Sequence, residues 1–232
     1  METELLLDAP TQIPLLSLNS PTGVRTRATF GGERSALRWN YYSVKNGAYV
    51  LCASSDGLRA LYHAEVCTDV VGYRTYLEPV RLKIERRSPT FAAHLEETLS
   101  DGRIVVSVFA DVLGDGHPEK PEIVEQLRAH YAASGIGFCV RGRAEFGQET
   151  TADAVEAIQT FRRTSVTDAD IWLVKDTISN RSNARLAEIR DRFKSPALGF
   201  AKLSAMMVRR VVAIDLRQEL GPTTPVCMLD PH

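Results

Sequence analysis

The pattern of apolar and polar positions divides the chain into strand-like and helix-like stretches, and the clearest strand-like pair lies near its middle. Thr90 to Leu99 forms the first stretch, and Arg103 to Phe109, a β-branched run, forms the second. Ser100-Asp101-Gly102 lies between them and has the residue types that tight turns require. This pattern predicts an antiparallel hairpin at the centre of the fold.

A shorter hairpin and a helix are predicted before the central hairpin. Leu37 to Tyr42 and Gly47 to Cys52 read as strands around Asn46-Gly47. That dipeptide indicates a type I′ turn, in which both central residues have positive φ. Ser54 to Val66 then fits an amphipathic helix that is capped by one of its first two serines.

A helix and a further strand are predicted after the central hairpin. Glu119 to Ser134 has an apolar stripe at helical spacing, and Gly135 stands at its C-terminal end. Ile136 to Val140 is strand-like. Strand, helix and strand in this succession form a crossover unit, which makes two strands parallel. We therefore predict an α/β fold with a mixed β-sheet flanked by helices.

Beyond Gly147 the period of the pattern becomes helical. The predicted helices and the β-branched run that follows them are Ala152 to Arg163, Asp168 to Ser179, Asn183 to Phe193, Pro196 to Val208, and Val211 to Ile214. Short helices closed by a small β element are typical of a winged-helix or helical-bundle appendage. We predict an extended arm over 1–35, an α/β domain over 36–147 and a helical, winged-helix-like C-terminal region over 148–232.

Composition excludes several classes of protein. The formal net charge is −1 at pH 7, so any contact with DNA has to come from local patches. The four cysteines are far apart and lack metal-ligand spacing, so we expect reduced thiols and no structural zinc. No apolar run approaches the roughly 20 residues that span a bilayer. The first residues are acidic where a signal peptide is basic. These features predict a cytoplasmic protein. We also expect both tryptophans, Trp39 and Trp172, to be core anchors.

Five short pieces of sequence follow one another in an order that is specific when they are taken together. They are Y-S-V-K-N-G, A-S-S-D-G-L-R-A-L-Y-H-A-E-V, T-D-V-V-G-Y-R-T-Y, S-P-T-F with D-G-R-I-V-V-S-V-F, and P-E-I-V-E-Q-L-R-A-H-Y-A-A-S-G-I-G-F. Together they resemble the TnsA-like endonuclease subunit of heteromeric transposases, which has a PD-(D/E)XK nuclease-type fold. The likeness covers roughly residues 25 to 147. It implies a restriction-endonuclease-like core and the context of a mobile element.

The resemblance also implies where a nuclease of this kind would hold its catalytic groups. The helix glutamate falls on Gly57, the Pro-Asp carboxylate on Thr90, and the Glu-x-Lys pair on Ser107 and Phe109. In such nucleases the carboxylates bind divalent cations, and the lysine steadies the developing charge. Glycine and phenylalanine offer no ligand, whereas threonine and serine offer only neutral hydroxyls. We therefore expect a catalytically inactive protein with no metal and no other cofactor.

A relocated active site is the first alternative. Asp56, Glu97 and Asp111 are the carboxylates that could bind Mg²⁺ in place of the missing ligands, with His94 or His117 assisting. The protein would then be an active metal-dependent endonuclease subunit of a transposase. Charged residues at strand ends and turns are usually just solvated, so the inactive interpretation is favoured.

Basic residues supply the remaining candidate chemistry. Lys and Arg outnumber Asp and Glu between Arg181 and Arg210, which favours contact with phosphates. The side chains predicted to bind DNA are Arg38, Lys45, Arg185, Lys202, Arg209 and Arg210. The favoured function is thus an inactive TnsA-like protein that binds DNA, a transposase or other mobile-element protein, or both, as a transposition or regulatory factor. A pure protein-interaction module, whose blocked pocket binds a partner, is the second alternative.

Overall fold

The computed structural model describes residues 39–52, 54–84, 88, 90–110, 120–142, 149–181 and 183–229. The strands are β1 Trp39–Ser43, β2 Ala48–Cys52, β3 Val70–Thr75, β4 Val80–Arg81, β5 Thr90–Phe91, β6 Leu95–Leu99, β7 Ile104–Phe109, β8 Gly137–Arg141, β9 Val212–Ile214 and β10 Val226–Met228. The helices are α1 Ser55–Val66, α2 Lys120–Ala133, α3 Glu149–Thr160, α4 Asp168–Ser179, α5 Leu186–Arg190 and α6 Pro196–Val208. Arg38, Asp111, His117 and the arm predicted over 1–35 lie outside the described residues.

A four-stranded sheet with the order β3-β6-β7-β8 forms the centre of the fold. Its first two pairings are antiparallel, and β7 pairs with β8 in parallel. The helix α2 connects these two parallel strands, as the crossover pattern predicted. The prediction of an α/β fold with a mixed sheet flanked by helices is therefore confirmed.

The two faces of β7 explain how helices cover this sheet. Val106 and Val108 point to one face and share a core with Leu127 and Tyr131 of α2. Phe109 belongs to the other face and shares a core with residues of α1, β1 and β2. Because side chains alternate along a strand, Ser107 lies on the same face as Phe109, towards α1.

The first predicted strand of the central hairpin is wrong in one respect, because Thr90 to Leu99 is not continuous. Thr90–Phe91 pairs with β4, whereas Leu95–Leu99 pairs with β3 and β7. His94 marks the break: its Nδ1 accepts a hydrogen bond of 2.8 Å from the backbone N–H of Phe109. A side chain therefore takes the place of a carbonyl partner where the ladder ends.

The hairpin β1–β2 is confirmed, but its predicted type I′ turn is wrong. Only Gly47 has a positive φ, of 62°, whereas a type I′ turn would need a second positive φ at Asn46. The side chain of Asn46 instead accepts a hydrogen bond from the N–H of Tyr73 and donates one to the carbonyl of the same residue. This tertiary contact with β3 fixes the turn.

Helix α1 begins as the sequence predicted. The Oγ of Ser54 accepts a hydrogen bond of 2.9 Å from the N–H of Gly57, which is the usual arrangement of a serine N-cap. The buried face of α1 contains Ala60, Leu61 and Ala64, which pack against the sheet.

The C-terminal helices share a core with α1. Val66 of α1 is buried together with Ile158 of α3 and with Leu203 and Met206 of α6. The domain boundary predicted between residues 147 and 148 falls outside the described residues and stays a prediction.

Helix α5 is shorter than the predicted Asn183 to Phe193. Arg185 has extended backbone and forms an isolated antiparallel bridge with Pro225, so the helix begins only at Leu186. β10 therefore lies between this bridge and β9, with which it pairs along its length. The predicted bounds of α4 and α6 are confirmed. No helix in the described ranges is long and apolar enough to cross a membrane.

Candidate functional site

Two of the four positions at which the resemblance places nuclease groups, Gly57 and Phe109, are neighbours in space. A Cβ added at Gly57 would lie 3.3 Å from the Cε2 of Phe109 and 3.2 Å from the Oγ of Ser54. The ring of Phe109 is almost fully buried, with 4% of the residue exposed. The phenyl group therefore fills the space beside the first turn of α1.

Ser107 is brought to the same face, but Thr90 is not part of this sheet. Ser107 is buried, and its Oγ lies 3.5 Å from the carbonyl oxygen of Leu95, to which it can only donate weakly. Thr90 lies in β5, pairs with Arg81 of β4 and has an exposed side chain. The phenyl group offers no ligand to a hard divalent cation, and the two hydroxyls offer only neutral oxygens in place of carboxylates.

His94 was predicted only to assist a relocated metal site, but its ring is packed on this face of the sheet. Its ring stacks on that of Phe109, with 5.0 Å between the centroids and 23° between the planes. Burial lowers the pKa of His94 to about 4, so the imidazole is neutral at pH 7. Since Nδ1 accepts the N–H of Phe109, the proton of the neutral ring is on Nε2.

The two described carboxylates of the alternative, relocated metal site each lie beside an arginine. Glu97 is buried and forms an ion pair with Arg141 that crosses β7, the strand between them. The Nη1 of Arg141 lies 3.2 Å from the Oε1 of Glu97, and its Nη2 donates to Oε2. Asp56 lies in the first turn of α1, 3.8 Å from the guanidinium of Arg59. Asp111, the third member of the set, is outside the described residues.

A buried carboxylate that sequence reasoning missed lies at the other end of α1. Glu65 accepts hydrogen bonds from the Oγ of Ser43 at 2.8 Å, the N–H of Val44 at 2.6 Å and the hydroxyl of Tyr73 at 2.6 Å. Burial, together with the adjacent carboxylate, raises the pKa of Tyr73. The polar residues of β1 and β3 gave no signal of this network because their neighbours in space are distant in sequence.

Lys45, predicted to bind DNA, is turned into the protein. Its Nζ donates hydrogen bonds to the carbonyl oxygens of Ala64 and Val70, at 2.8 Å each, and to that of Cys67. Burial lowers the pKa of Lys45 to about 8, so the ammonium is still mostly charged at pH 7. An ammonium has three N–H donors, and all three are used here.

Three of the other predicted DNA contacts also hold elements of the fold together. Lys202 pairs with Asp170 at 2.6 Å. A guanidinium N–H of Arg209 donates to the carbonyl oxygens of Ala205, at 2.8 Å, and Arg162, at 3.2 Å, and Arg210 donates to that of Thr68 at 2.8 Å. Arg185 is exposed and donates to the carbonyl of Thr223 at 3.3 Å. Binding of DNA by these residues stays a prediction.

Two exposed cations lie between α5 and α6. Arg192 and Lys194 are exposed, and neither side chain has a hydrogen bond or ion pair with the rest of the described chain. Ser195 caps α6, and Pro196, Ala197 and Leu198 in its first turn are exposed as well. From Ala201 onwards α6 is almost entirely buried.

The prediction that Trp172 is a core anchor is wrong. Trp172 lies on α4 with 72% of the residue exposed, whereas Trp39 is partly buried against the core of β1, β2 and α1. The helical period placed Trp172 on α4 correctly, but α4 buries Val174 and Thr177 instead.

The described residues contain no group of three or more His, Cys, Asp or Glu side chains that could hold a metal ion. No protein-family model matches the chain, and no curated protein matches it.

Proposed function

We propose that this protein is a non-catalytic relative of the TnsA-like nuclease subunits, which acts in DNA transactions of a mobile element by binding DNA, a partner protein or both. The observation that carries the proposal is that the ring of Phe109 lies where a side chain at Gly57 would begin. In the resemblance these two positions correspond to the lysine and the helix glutamate of a metal-dependent nuclease. Here a buried phenyl ring fills the place of both.

The arrangement of the sheet supports a restriction-endonuclease-like core. The strand β7 carries the positions of the Glu-x-Lys pair, and β8 follows in parallel after the crossover helix α2. Thr90, the position of the Pro-Asp carboxylate, lies apart from them in β5. Helix α1 covers the face that contains Ser107 and Phe109, and α2 covers the opposite face.

The local electrostatics favour loss of catalysis over relocation of the metal site. A cation bound to Glu97 would have to displace the guanidinium of Arg141, which would then lose its carboxylate partner. His94 is neutral and its Nδ1 already accepts a backbone N–H. An active endonuclease would therefore need ligands other than those that the described residues of this face offer.

The topology of the C-terminal region supports a winged-helix extension. Helix α4, the bridge at Arg185, α5, α6, β9 and β10 follow one another as helix, strand, helix, helix and two strands. β10 lies between the bridge and β9, and the turn between β9 and β10 corresponds to the wing. α6 would then be the recognition helix, which enters the major groove in DNA-binding members of this class.

The burial of α6 changes what such an extension can do. Leu203, Met206 and Val208 are fully buried in the core that α6 shares with α1 and α3, so the length of this helix cannot lie in a groove. Only its first turn, preceded by Arg192 and Lys194, is exposed. These residues would contact phosphates and not base edges, which makes binding insensitive to sequence and sensitive to salt.

The test of DNA binding is the affinity for a labelled duplex at several salt concentrations. Arg192→Ala with Lys194→Ala should weaken binding. It should also make the negative slope of log K against log salt shallower by about 2, since each phosphate contact contributes roughly 0.9 to its magnitude. Arg81→Ala with Lys83→Ala is the matched control, because it removes the same charge from exposed positions on and beside β4. An equal loss in both variants would contradict the assigned surface. Absence of binding by the unaltered protein would leave only the partner-binding branch of the proposal.

A further inference from the structure

The outward face of α4 presents the most exposed tryptophan of the described chain. Trp172 has 72% of its surface exposed. Two other exposed aromatic residues are covered on one side by a neighbour, since Tyr49 packs edge-on against Tyr42 and Phe161 against Phe200. Among the described residues, no ring or cation lies against Trp172. Trp is also the residue type most enriched at the energetic centre of protein interfaces.

Helix α4 holds this indole on a rigid support. Thr167 and Asp170 form a capping box at its first turn, and the same Asp170 carboxylate accepts a hydrogen bond of 2.6 Å from Lys202 of α6. On the inner side, Val174 and Thr177 are buried. A side chain on a fixed helix loses little backbone freedom when a partner covers it, which favours binding.

Two carboxylates flank the indole along the helix. Asp168 and Asp176 lie four residues before and after Trp172, about one helical turn away on the same side. Both are exposed, and neither forms an ion pair with a described residue, whereas the inner Asp170 is neutralised by Lys202. Lys175 is the one exposed cation among the described residues of α4. The indole is therefore set in a locally acidic surface.

We propose that this face of α4 is a docking site for a positively charged segment of a partner protein. Lys or Arg side chains of that segment would pair with Asp168 and Asp176, and an apolar or cationic side chain would cover the face of the indole. The inference gives a chemistry to the partner-binding branch of the proposed function. It does not depend on DNA binding or on the loss of catalysis.

The charge around Trp172 decides between a protein and a nucleic acid as the occupant. Exposed tryptophans also stack on bases of single strands, but the sites that do so track the phosphates with basic residues. Of the three exposed charges of α4 within about one turn of Trp172, two are the carboxylates of Asp168 and Asp176, which repel phosphates and attract Lys or Arg, and the third is Lys175. The same carboxylates disfavour a second acidic copy of this face.

The experiment uses the full chain with Trp39→Phe, which leaves Trp172 as the only tryptophan of the two. Its fluorescence is titrated with a helical peptide of Leu and Lys, with the same peptide in which Glu replaces Lys, and with single-stranded oligothymidylate. We expect the hydrated-indole emission to shift to the blue, saturably, with the Leu/Lys peptide. The Leu/Glu peptide should bind at least about tenfold more weakly.

Variants assign the binding to this face. With a labelled Leu/Lys peptide, Trp172→Ala should weaken binding at least about tenfold, and Asp168→Asn with Asp176→Asn about threefold or more. Tyr49→Ala, which removes an aromatic residue that is 60% exposed elsewhere, should change binding less than about twofold. Thermal melting by circular dichroism confirms that each variant is folded.

Several results would overturn the proposal. One is binding of the Leu/Lys peptide that is the same in Trp172→Ala and in Tyr49→Ala. Another is a blue shift with oligothymidylate or with the Leu/Glu peptide that equals the shift with the Leu/Lys peptide. Emission that is already blue-shifted in the protein alone, or that shifts with protein concentration, would show that the chain itself covers Trp172.

Discussion

Phe109 is the residue on which the interpretation depends most. Its position at the end of a β-branched run could be read from the sequence. The turn at Gly102 sets where β7 begins, and the β-branched run sets where it ends. Its partners could not be read. Gly57 and His94 reach Phe109 through the packing of α1 and through the break before β6, and neither contact has a local sequence signal.

His94 gives the first prediction at this scale. Its pKa is about 4 in the folded protein, against 6.5 in an exposed histidine, so below pH 6.5 the unfolded chain binds a proton that the folded chain does not. The free energy of unfolding should therefore fall as the pH drops from 6.5 to 4, by on the order of 3 kcal/mol from this group.

His94→Asn is the matched variant, because its side-chain oxygen can still accept the N–H of Phe109 but does not titrate. Urea denaturation at several pH values measures the difference. The loss of stability between pH 6.5 and 4 should be smaller in His94→Asn than in the unaltered protein. The same pH dependence in both would show that His94 is protonated in the folded state and that its described surroundings are wrong.

Lys45 gives the second prediction. Lys45→Met keeps the apolar stem but removes the donors for the carbonyls of Ala64, Cys67 and Val70. We expect a loss of about 2 kcal/mol in the free energy of unfolding, because the part-buried carbonyls of Ala64 and Val70 lose this donor. Lys83→Met, at an exposed position, should change stability by less than about 0.5 kcal/mol. A loss of DNA affinity without loss of stability in Lys45→Met would instead favour the original prediction that Lys45 binds phosphate.

At the scale of the elements, the sequence predicted best those helices that are held by their own caps. The bounds of α4 and α6 follow from Thr167 and Ser195, whose side chains cap them locally. The bounds of α5 do not, because the backbone before Leu186 pairs with the distant Pro225. The predicted strand from Thr90 to Leu99 failed for the same kind of reason, since its two halves pair with different strands.

The crossing of α5 and α6 provides a prediction for an element. A Cβ at Gly199 would lie 2.2 Å from the carbonyl oxygen of Arg190 and 2.8 Å from its Cα, so the two backbones touch at this glycine. Gly→Ala within an exposed helix usually stabilises by up to about 1 kcal/mol. Here we expect Gly199→Ala to destabilise by about 2 kcal/mol or more, because a backbone has to move.

Gly221→Ala is the control for that measurement, since a Cβ there meets no atom within 4 Å. Its unfolding free energy should stay within about 0.5 kcal/mol of the unaltered protein. If Gly199→Ala were as stable as Gly221→Ala, α5 and α6 would not be packed as described.

At the scale of the whole molecule, the composition showed that the net charge is small, but it could not show which contacts each cation makes. Lys45, Lys202, Arg209 and Arg210 all form hydrogen bonds that join elements far apart in sequence, which a count of basic residues cannot show. The shared core of α1, α3 and α6 could not be predicted from the sequence either, because it joins helices that are far apart in the chain. This core buries α6, a helix that the residue pattern alone would have assigned to contact with DNA.

The measurement that tests the central claim most directly is incubation of the purified protein with supercoiled plasmid, in magnesium and then in manganese. The proposal predicts that the plasmid stays supercoiled in both metals. Nicking or linearisation by the unaltered protein that is lost in Asp111→Asn or in Glu97→Gln would contradict it. The carboxylates of the relocated site would then hold the metal, and the phenyl ring at position 109 would not have ended catalysis.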